Sequence, residues 1–212
     1  IFSSIVFLRL YNKSFFDDEI ASINIINNFN DIFSLYFFVN NWDVSPPLSY
    51  ILFFVAEKVF NFQYAILLFL PIQILCIYSF TNNTSEIFKN DYKIKSIYLF
   101  SIILNPIFIL WCTSLRWYSL WIPLSLYIIG KVFFKKKLNE KDIFLILLSL
   151  TLMFHLNYLT IIFVFCLIFS NFKFIQNYIF KFFKKNFIVF LFFILINIPQ
   201  IYFFFKIHIL NS

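Results

Sequence analysis

The sequence predicts an all-α integral membrane protein. Of its 212 residues, 62% are hydrophobic, 36 are phenylalanine and only 13% are charged. A soluble domain of this length has about a quarter of its residues charged and about half apolar, and it could not bury so much apolar surface. The apolar residues also gather into runs whose lengths approach the roughly 20 residues that cross a bilayer.

The chain, 1–212, is predicted to be a single transmembrane module of about seven helices. The first apolar run is too short to cross, and we expect it to be the remainder of a helix trimmed at its N-terminus. The predicted spans are Ile1–Tyr11, Phe62–Phe80, Ile97–Cys112, Trp117–Phe134, Ile143–Leu156, Tyr158–Phe172 and Phe187–Phe205.

Two apolar stretches do not have the length of one span. The nine-residue run Leu48–Ala56 ends at Glu57, and a helix of that length covers about 14 Å, about half of the hydrocarbon core. We therefore predict that it is interfacial or partly inserted. The run from Ile143 to Phe172 would be about 45 Å long as one helix, so we predict a hairpin of two helices that turns at Leu156-Asn157.

The lysines predict the orientation. Three loops, after Phe80, Ile129 and Phe172, carry twelve of the 17 basic residues, and with these seven spans all three lie on one face. The positive-inside rule makes that face cytoplasmic. The net charge of +7 is thus explained by topology, and no nucleic-acid partner is expected. One alternative stays open: if Leu48–Ala56 crossed the membrane, the loop before it would move inside.

The outer loop 12–61 is predicted to carry the active site. Its acidic cluster Asp17-Asp18-Glu19 precedes a stretch, Glu19–Trp42, in which polar residues recur at spacings of three and four. That pattern is typical of an amphipathic helix in the membrane surface. The cluster could simply cap this helix and meet its dipole. The functional interpretation is a carboxylate general base at the interface.

Other reactive groups are predicted on the same face. They are the segment Asp43–Tyr50, Arg116 with Tyr118, His155 beside Asn157 and Tyr158, and Lys206-Ile207-His208. Each has a structural explanation as well: Pro46 and Pro47 suit the start of a helix, and an arginine among tryptophans can extend to the headgroups. As a functional residue, Arg116 would grip a phosphate through its forked donors.

Taken together, these segments resemble the GT-C superfamily of membrane glycosyltransferases, particularly its protein mannosyltransferase-like and lipopolysaccharide sugar-transferase branches. Asp18-Glu19 with Ala21 resembles the family's Asp-Glu-Ala signature. Asp43–Tyr50 resembles Asp-x-His-Pro-Pro-Leu-Tyr-Tyr, Ser114–Leu120 resembles Glu-Ala-Arg-x-Tyr-Ser-Leu, and Phe154–Tyr158 resembles a later His-Tyr pair. Ser45 stands where histidine is usual, and Ser114 replaces an acid.

The resemblance implies inverting sugar transfer from a polyprenyl-phosphate donor to a lipid, glycan or protein acceptor, at the outer face of a bacterial cytoplasmic membrane. Asp18 would be the general base. Asp17 and Glu19 would orient it or bind a divalent ion such as Mg²⁺ or Mn²⁺, although no feature of the sequence requires a metal. Arg116, Tyr118, His155, Asp43 and Tyr50 would bind the donor, and Pro46 and Pro47 would shape the loop. The alternatives are a carrier of lipid-linked sugars and a catalytically degenerate relative.

Overall fold

Helices make up every regular element that the structure, a computed structural model, describes. It describes residues 1–11, 15, 17–42, 46–87, 91–135 and 137–206. The helices are α1 Phe2–Tyr11, α2 Asp17–Asn27, α3 Ile32–Trp42, α4 Leu48–Tyr64, α5 Leu70–Ile87, α6 Tyr92–Ile103, α7 Pro106–Cys112, α8 Tyr118–Ile129, α9 Glu140–Leu156, α10 Leu159–Ser170, α11 Phe172–Phe174, α12 Phe180–Lys185 and α13 Phe187–Phe205. The predicted all-α class is confirmed.

Several of these helices are long and apolar enough to cross a membrane. In the described residues, Leu48–Thr84 and Phe187–Phe205 qualify by themselves. Two bent pairs, α6 with α7 and α10 with Phe172–Lys185, qualify if each pair counts as one span. The chain therefore has two to four candidate spans, as expected of a membrane protein. Seven spans are not confirmed, because helices such as α1, with 10 residues, and α9, with 17 residues, fall short of about 20.

The helix α13 coincides with the last predicted span. It runs from Phe187 to Phe205 without a break, and Pro199 lies inside it. Only 11% of its most apolar window is buried inside the protein. So much exposed apolar surface suits a helix whose solvent is lipid.

The predicted span Ile97–Cys112 is bent rather than straight. The axes of α6 and α7 differ by 62°, and the break falls at Asn105-Pro106. Pro106 has no N–H to continue the helical ladder. The Asn105 Oδ1 atom accepts hydrogen bonds from the Ile107 and Phe108 backbone N–H groups, at 2.9 and 3.0 Å. This cap satisfies donors at the new helix start and so stabilises the bend.

The helix that begins at Leu48 is longer than predicted. It continues past Ala56 to Tyr64, because Glu57 and the 62%-exposed side chain of Lys58 project outward and leave the backbone hydrogen bonds intact. The prediction of a nine-residue helix was wrong on this point.

The chain nevertheless turns back soon after. Asn61 has φ 53° and ψ 164°, which are not helical angles. The rings of Phe53 and Phe69 lie 5.3 Å apart, whereas a straight helix would separate residues 16 positions apart by about 24 Å. The stretch Leu48–Thr84 is therefore not one straight span, and the starts of α4 and α5 lie at the same end of the molecule.

The lysine-rich segments gather at one end of the helices, here called the lysine end. It comprises the end of α5, the start of α6, the π-helical turn Gly130–Phe134, the start of α9 and α12. The contacts that join them are Lys95 Nζ to Asn82 Oδ1 at 2.6 Å, Lys131 Nζ to Asp142 Oδ1 at 2.7 Å, Lys135 Nζ to Asp142 Oδ2 at 2.7 Å, and the ion pair of Lys185 with Glu140. Lys185 joins the third of the lysine-rich loops to the second, and the rings of Phe80 and Phe134, whose centroids lie 5.9 Å apart, join the first to the second.

Close packing holds the lysine end together. Gly130 is the single glycine of the chain, and a Cβ atom placed on it would lie 3.0 Å from the Phe80 Cα atom. A side chain at this position would push α5 away from α8.

A second contact joins α5 and α8 at their opposite ends. There the Gln73 Nε2 atom donates to the backbone carbonyls of Cys112, at 2.8 Å, and Ser119, at 3.1 Å.

The predicted helix Glu19–Trp42 is two helices, α2 and α3. The break lies at 28–31, where the Asp31 Oδ1 atom accepts a hydrogen bond of 2.8 Å from the Ser34 backbone N–H. That hydrogen bond lowers the pKa of Asp31 below its ordinary value. The polar residues that recur at spacings of three and four are all exposed, so the pattern identified an exposed side although it missed the break: Asn24, Asn27, Asn28, Asp31 and Ser34. The location of these helices in a membrane interface stays a prediction.

Candidate active site

The acidic cluster forms the first turn of α2. Asp17, Asp18 and Glu19 are its first three residues, where carboxylates interact favourably with the helix dipole. Asp17 and Asp18 are exposed, whereas Glu19 is completely buried. The sequence did not distinguish the three acids in this way, and their burial now gives them different roles.

Glu19 binds the loop between α7 and α8. Its Oε1 atom accepts hydrogen bonds from Ser114 Oγ, at 2.9 Å, and from the Leu115 backbone N–H, at 2.6 Å. Both donors are buried. A carboxylate removed from water is costly unless donors compensate it, and hydrogen bonds to an ionised acceptor are the strong ones. Glu19 therefore fixes α2 to a segment about 95 positions away in the chain.

Arg116 makes a second connection beside the first. Its Nη1 atom donates to Ser22 Oγ at 2.9 Å and lies 3.4 Å from the Asp18 backbone oxygen. The Arg116 Nε atom is buried and has no hydrogen-bond partner among the described residues. The guanidinium is thus held close to the backbone of Asp18, whose carboxylate is exposed. We call Asp18, Glu19, Ser22, Ser114 and Arg116 the Glu19–Arg116 cluster.

Aromatic side chains surround this cluster on the α8 side. The Tyr118 hydroxyl lies 3.3 Å from Ser114 Oγ, and the Tyr118 ring packs edge-on against Trp111 and Trp117, with centroids 4.3 and 5.1 Å away. The Trp121 Nε1 atom donates to Thr160 Oγ1 at 2.8 Å and so links α8 to α10. The structure thus places Tyr118 beside the cluster, with tryptophan rings packed against it.

The segment before α4 reaches the cluster from another side. Pro46 and Pro47 are buried and α4 begins directly after them, which agrees with their structural role. Tyr50 is buried and, with Ser22 and Arg116, lines a cavity of about 10 Å³. That volume holds about one water molecule, so a sugar would have to bind at the exposed edge of the cluster.

Some predicted site residues lie outside the described residues. They are Asp43, together with Ser45 in the same motif, and His208.

His155 points away from the cluster. It is half-buried in the last turn of α9, and the backbone of Ile196 in α13 hydrogen-bonds its ring. Its Nε2 atom is buried with no hydrogen-bond partner among the described residues. Its neighbour Leu156 lies on the side of Arg116, and the two side chains line the same small pocket. The structure brings Asp18, Glu19, Arg116, Tyr118 and Tyr50 together and leaves His155 beside α13.

Two residues of the site carry a role that the sequence did not predict. Ser114 donates a hydrogen bond to the buried carboxylate of Glu19. Gln73 is fully buried and fixes the start of α5 to the loop that contains Ser114. A glutamine inside an apolar run was the available signal for this second contact, since buried amides are usually hydrogen-bonded.

The cluster offers a base and a cation but no metal centre in the residues that can be described. No group of three or more His, Cys, Asp or Glu side chains there could hold a metal ion. The exposed Asp18 carboxylate can accept a proton, and Arg116 presents positive charge close to it. This combination suits chemistry in which a hydroxyl loses a proton while a phosphate departs.

Comparisons with protein-family models, curated proteins and solved structures give no match for this chain. The resemblance to the GT-C superfamily therefore stays a prediction from the sequence.

Proposed function

We propose that the protein is a membrane glycosyltransferase that moves a sugar from a polyprenyl-phosphate donor to an acceptor hydroxyl. The observation that carries the proposal is the contact of Arg116 with α2, where its Nη1 atom lies 2.9 Å from Ser22 Oγ and 3.4 Å from the Asp18 backbone oxygen. It brings a cation to the backbone of a residue whose carboxylate is exposed, although the two residues lie about 100 positions apart. A transferase of this class needs a base for the acceptor and positive charge for the departing lipid phosphate.

Each residue of the cluster takes one role. Asp18 accepts the proton of the acceptor hydroxyl, whose oxygen attacks the anomeric carbon with inversion, while the sugar–phosphate bond breaks and the lipid phosphate leaves. Arg116 stabilises the charge on that phosphate. Glu19 is a positioning residue, since its carboxylate is occupied by Ser114 and Leu115. Tyr118 and Tyr50 line the approach.

The membrane arrangement is part of the proposal. Seven spans would cross a bacterial cytoplasmic membrane, with the lysine end inside and the Glu19–Arg116 cluster outside, as the positive-inside rule favours. The turn at Asn61 supports this side for the cluster, because it returns the chain to the end from which α4 began. If a divalent ion takes part, Mg²⁺ or Mn²⁺ held mainly by substrate oxygens suits the exposed acids Asp17 and Asp18.

An apolar cavity fits the lipid part of such a donor. It has a volume of about 430 Å³ and lies between α9, α10 and α13. Phe154 and Thr160 line it near the ends of α9 and α10 that Trp121 joins to α8. Its walls are almost wholly aliphatic and aromatic, which suits an isoprenoid chain that stays in the bilayer while its phosphate lies at the interface.

The test is transfer by purified protein in lipid nanodiscs with a panel of radiolabelled polyprenyl-phosphate hexoses and pentoses, measured as released polyprenyl phosphate. Asp18→Asn keeps the backbone oxygen near Arg116 and removes only the base. It should lower kcat by about 10²–10⁴. Asp31→Asn removes another exposed carboxylate, at the start of α3, and should leave kcat unchanged. Wild-type turnover by Asp18→Asn protein that inserts normally would sink the assignment of the base.

A carrier of lipid-linked sugars is the second candidate. The 62° break between α6 and α7 favours it, because broken helices often form binding sites in transporters. In proteoliposomes, a carrier would move a fluorescent lipid-linked sugar between leaflets without releasing polyprenyl phosphate, and Asp18→Asn would not change the rate. Release of polyprenyl phosphate by the wild type would exclude a carrier without chemistry.

A further inference from the structure

A cavity at the lysine end is separate from the Glu19–Arg116 cluster. It has a volume of about 770 Å³ and lies between the first turn of α9, the π-helical turn Ile175–Ile179 and α12. Small-molecule sites commonly have volumes of about 300–1,000 Å³. The cavity therefore has room for a ligand of substantial size.

The lining of this cavity is cationic. Three lysines, Lys141, Lys181 and Lys185, contribute to it, against one acid, Glu140. Glu140 pairs with Lys185, and that hydrogen bond lowers the pKa of Glu140, so the acid is charged at neutral pH and offsets one lysine only. Lys141 and Lys181 form no ion pair among the described residues, and both are exposed.

The nearby acid of α9 does not cancel this charge. Asp142 is engaged on the other side of the helix, where Lys131 and Lys135 each donate to one of its oxygens at 2.7 Å. The amides of Asn139 and Asn177 also line the cavity, and the N-terminus of α9 contributes its positive dipole end. The side chains of Lys141 and Lys181 favour an anion, and the amide groups can donate hydrogen bonds to it.

A second, apolar cavity adjoins the first. It has a volume of about 410 Å³ and shares Glu140, Lys141 and Phe182 with the basic cavity. Its remaining lining includes Phe144, Leu145 and Val189, the last of which lies in the first turn of α13. The two cavities together form one amphipathic site at the start of a candidate span.

We propose that this site binds an anionic phospholipid, with the phosphate headgroup among Lys141, Lys181 and Lys185 and an acyl chain against Phe144, Leu145 and Val189. Charge complementarity selects the headgroup, and the adjoining apolar cavity selects a molecule that carries a chain. Free phosphate shares the first feature and lacks the second. The site does not depend on the proposed transferase activity.

The test is lipid retention by detergent-purified protein, measured by native mass spectrometry after addition of phosphatidylglycerol, phosphatidylcholine or inorganic phosphate. We expect phosphatidylglycerol to be retained preferentially. Lys141→Gln with Lys181→Gln should weaken its binding about 25-fold, since each lysine near an anionic lipid contributes about fivefold. The matched control, Lys93→Gln with Lys173→Gln, removes two exposed lysines outside the cavity and should leave binding within about twofold of wild type.

A second variant separates the two sources of phosphate. Val189→Phe fills the apolar cavity and leaves every lysine in place, so it should weaken phosphatidylglycerol binding and leave any competition by inorganic phosphate unchanged. If the Lys141/Lys181 variant and the Lys93/Lys173 variant lose equal amounts of phosphatidylglycerol binding, the proposal is overturned in favour of general surface attraction. If Val189→Phe protein binds phosphatidylglycerol as the wild type does, and inorganic phosphate displaces the lipid completely, the proposal is overturned in favour of a free-phosphate site.

Discussion

Replacing Glu19 with glutamine should destabilise the protein although the side chain keeps its size. Glu19 is fully buried, and its Oε1 atom accepts from Ser114 Oγ at 2.9 Å and from the Leu115 N–H at 2.6 Å. Hydrogen bonds to a charged acceptor contribute about 1.5–3 kcal/mol, against about 0.5–1.5 kcal/mol for neutral pairs. Two bonds that change from the first kind to the second lower the free energy of unfolding by about 2 kcal/mol, which is about 30-fold in the equilibrium constant.

Unfolding by SDS in mixed micelles, followed by tryptophan fluorescence, measures this change, since Trp111 and Trp117 lie beside the cluster. Asp17→Asn, which alters an exposed acid of the same turn, should unfold close to wild type. In a double-mutant cycle with Ser114→Ala, the combined loss should be smaller than the sum, because both variants remove one contact. If Glu19→Gln unfolds like the wild type and the cycle is additive, Glu19 does not anchor the loop.

Three further predictions concern the helix contacts. Asp142→Asn removes the charged partner of two lysines and should lower the free energy of unfolding by about 2 kcal/mol. Burial by itself would raise the pKa of Asp142, but the hydrogen bonds from Lys131 and Lys135 outweigh it and the pKa is lowered from 3.8. The stabilisation by Asp142 is therefore present above pH 3.8 and is lost as the pH falls toward the lowered pKa, so the melting temperature of the variant should depend less on pH between about 3 and 5 than that of the wild type. Gly130→Ala should cost about 1–3 kcal/mol in SDS unfolding by crowding Phe80, and an unchanged midpoint would contradict the close packing. Gln73→Leu should cost about 1–3 kcal/mol by leaving two buried carbonyls without their donor; stabilisation instead would mean that these bonds are dispensable.

The end of α9 was predicted from a local signal, since Asn157 interrupts the apolar run there. The break at Pro106 was missed, although a proline that cannot continue the helical ladder marks it. The extension of α4 past Glu57 was not predictable from the sequence. Two charged residues end a membrane-spanning helix only where they would otherwise enter the lipid, and the sequence does not show whether the side chains of Glu57 and Lys58 face lipid. The turn at Asn61 was also missed, because nothing local distinguishes an asparagine with positive φ from one in an ordinary helix.

Some features of the candidate site were also visible in the sequence, and others appear only in the structure. The sequence identified the acids of α2 and Arg116 as unusual charges among apolar runs, and the structure brings them together. It could not distinguish Asp18 from Glu19, because burial of one acid depends on a partner about 95 positions away. It also placed His155 with the cluster, whereas α13 supplies the contact of that ring.

By itself, the sequence determined the helical class, the last candidate span and the grouping of lysines between apolar runs, because the length of an apolar run and the positions of lysines are properties of the chain itself. Only the tertiary structure decided which residues meet. It joined the lysine-rich segments at one end, gave Glu19 to Ser114 and Leu115, and left Asp18 exposed beside Arg116. These are contacts between distant segments, and their energies depend on burial and on distances of a few ångströms, which no local pattern encodes.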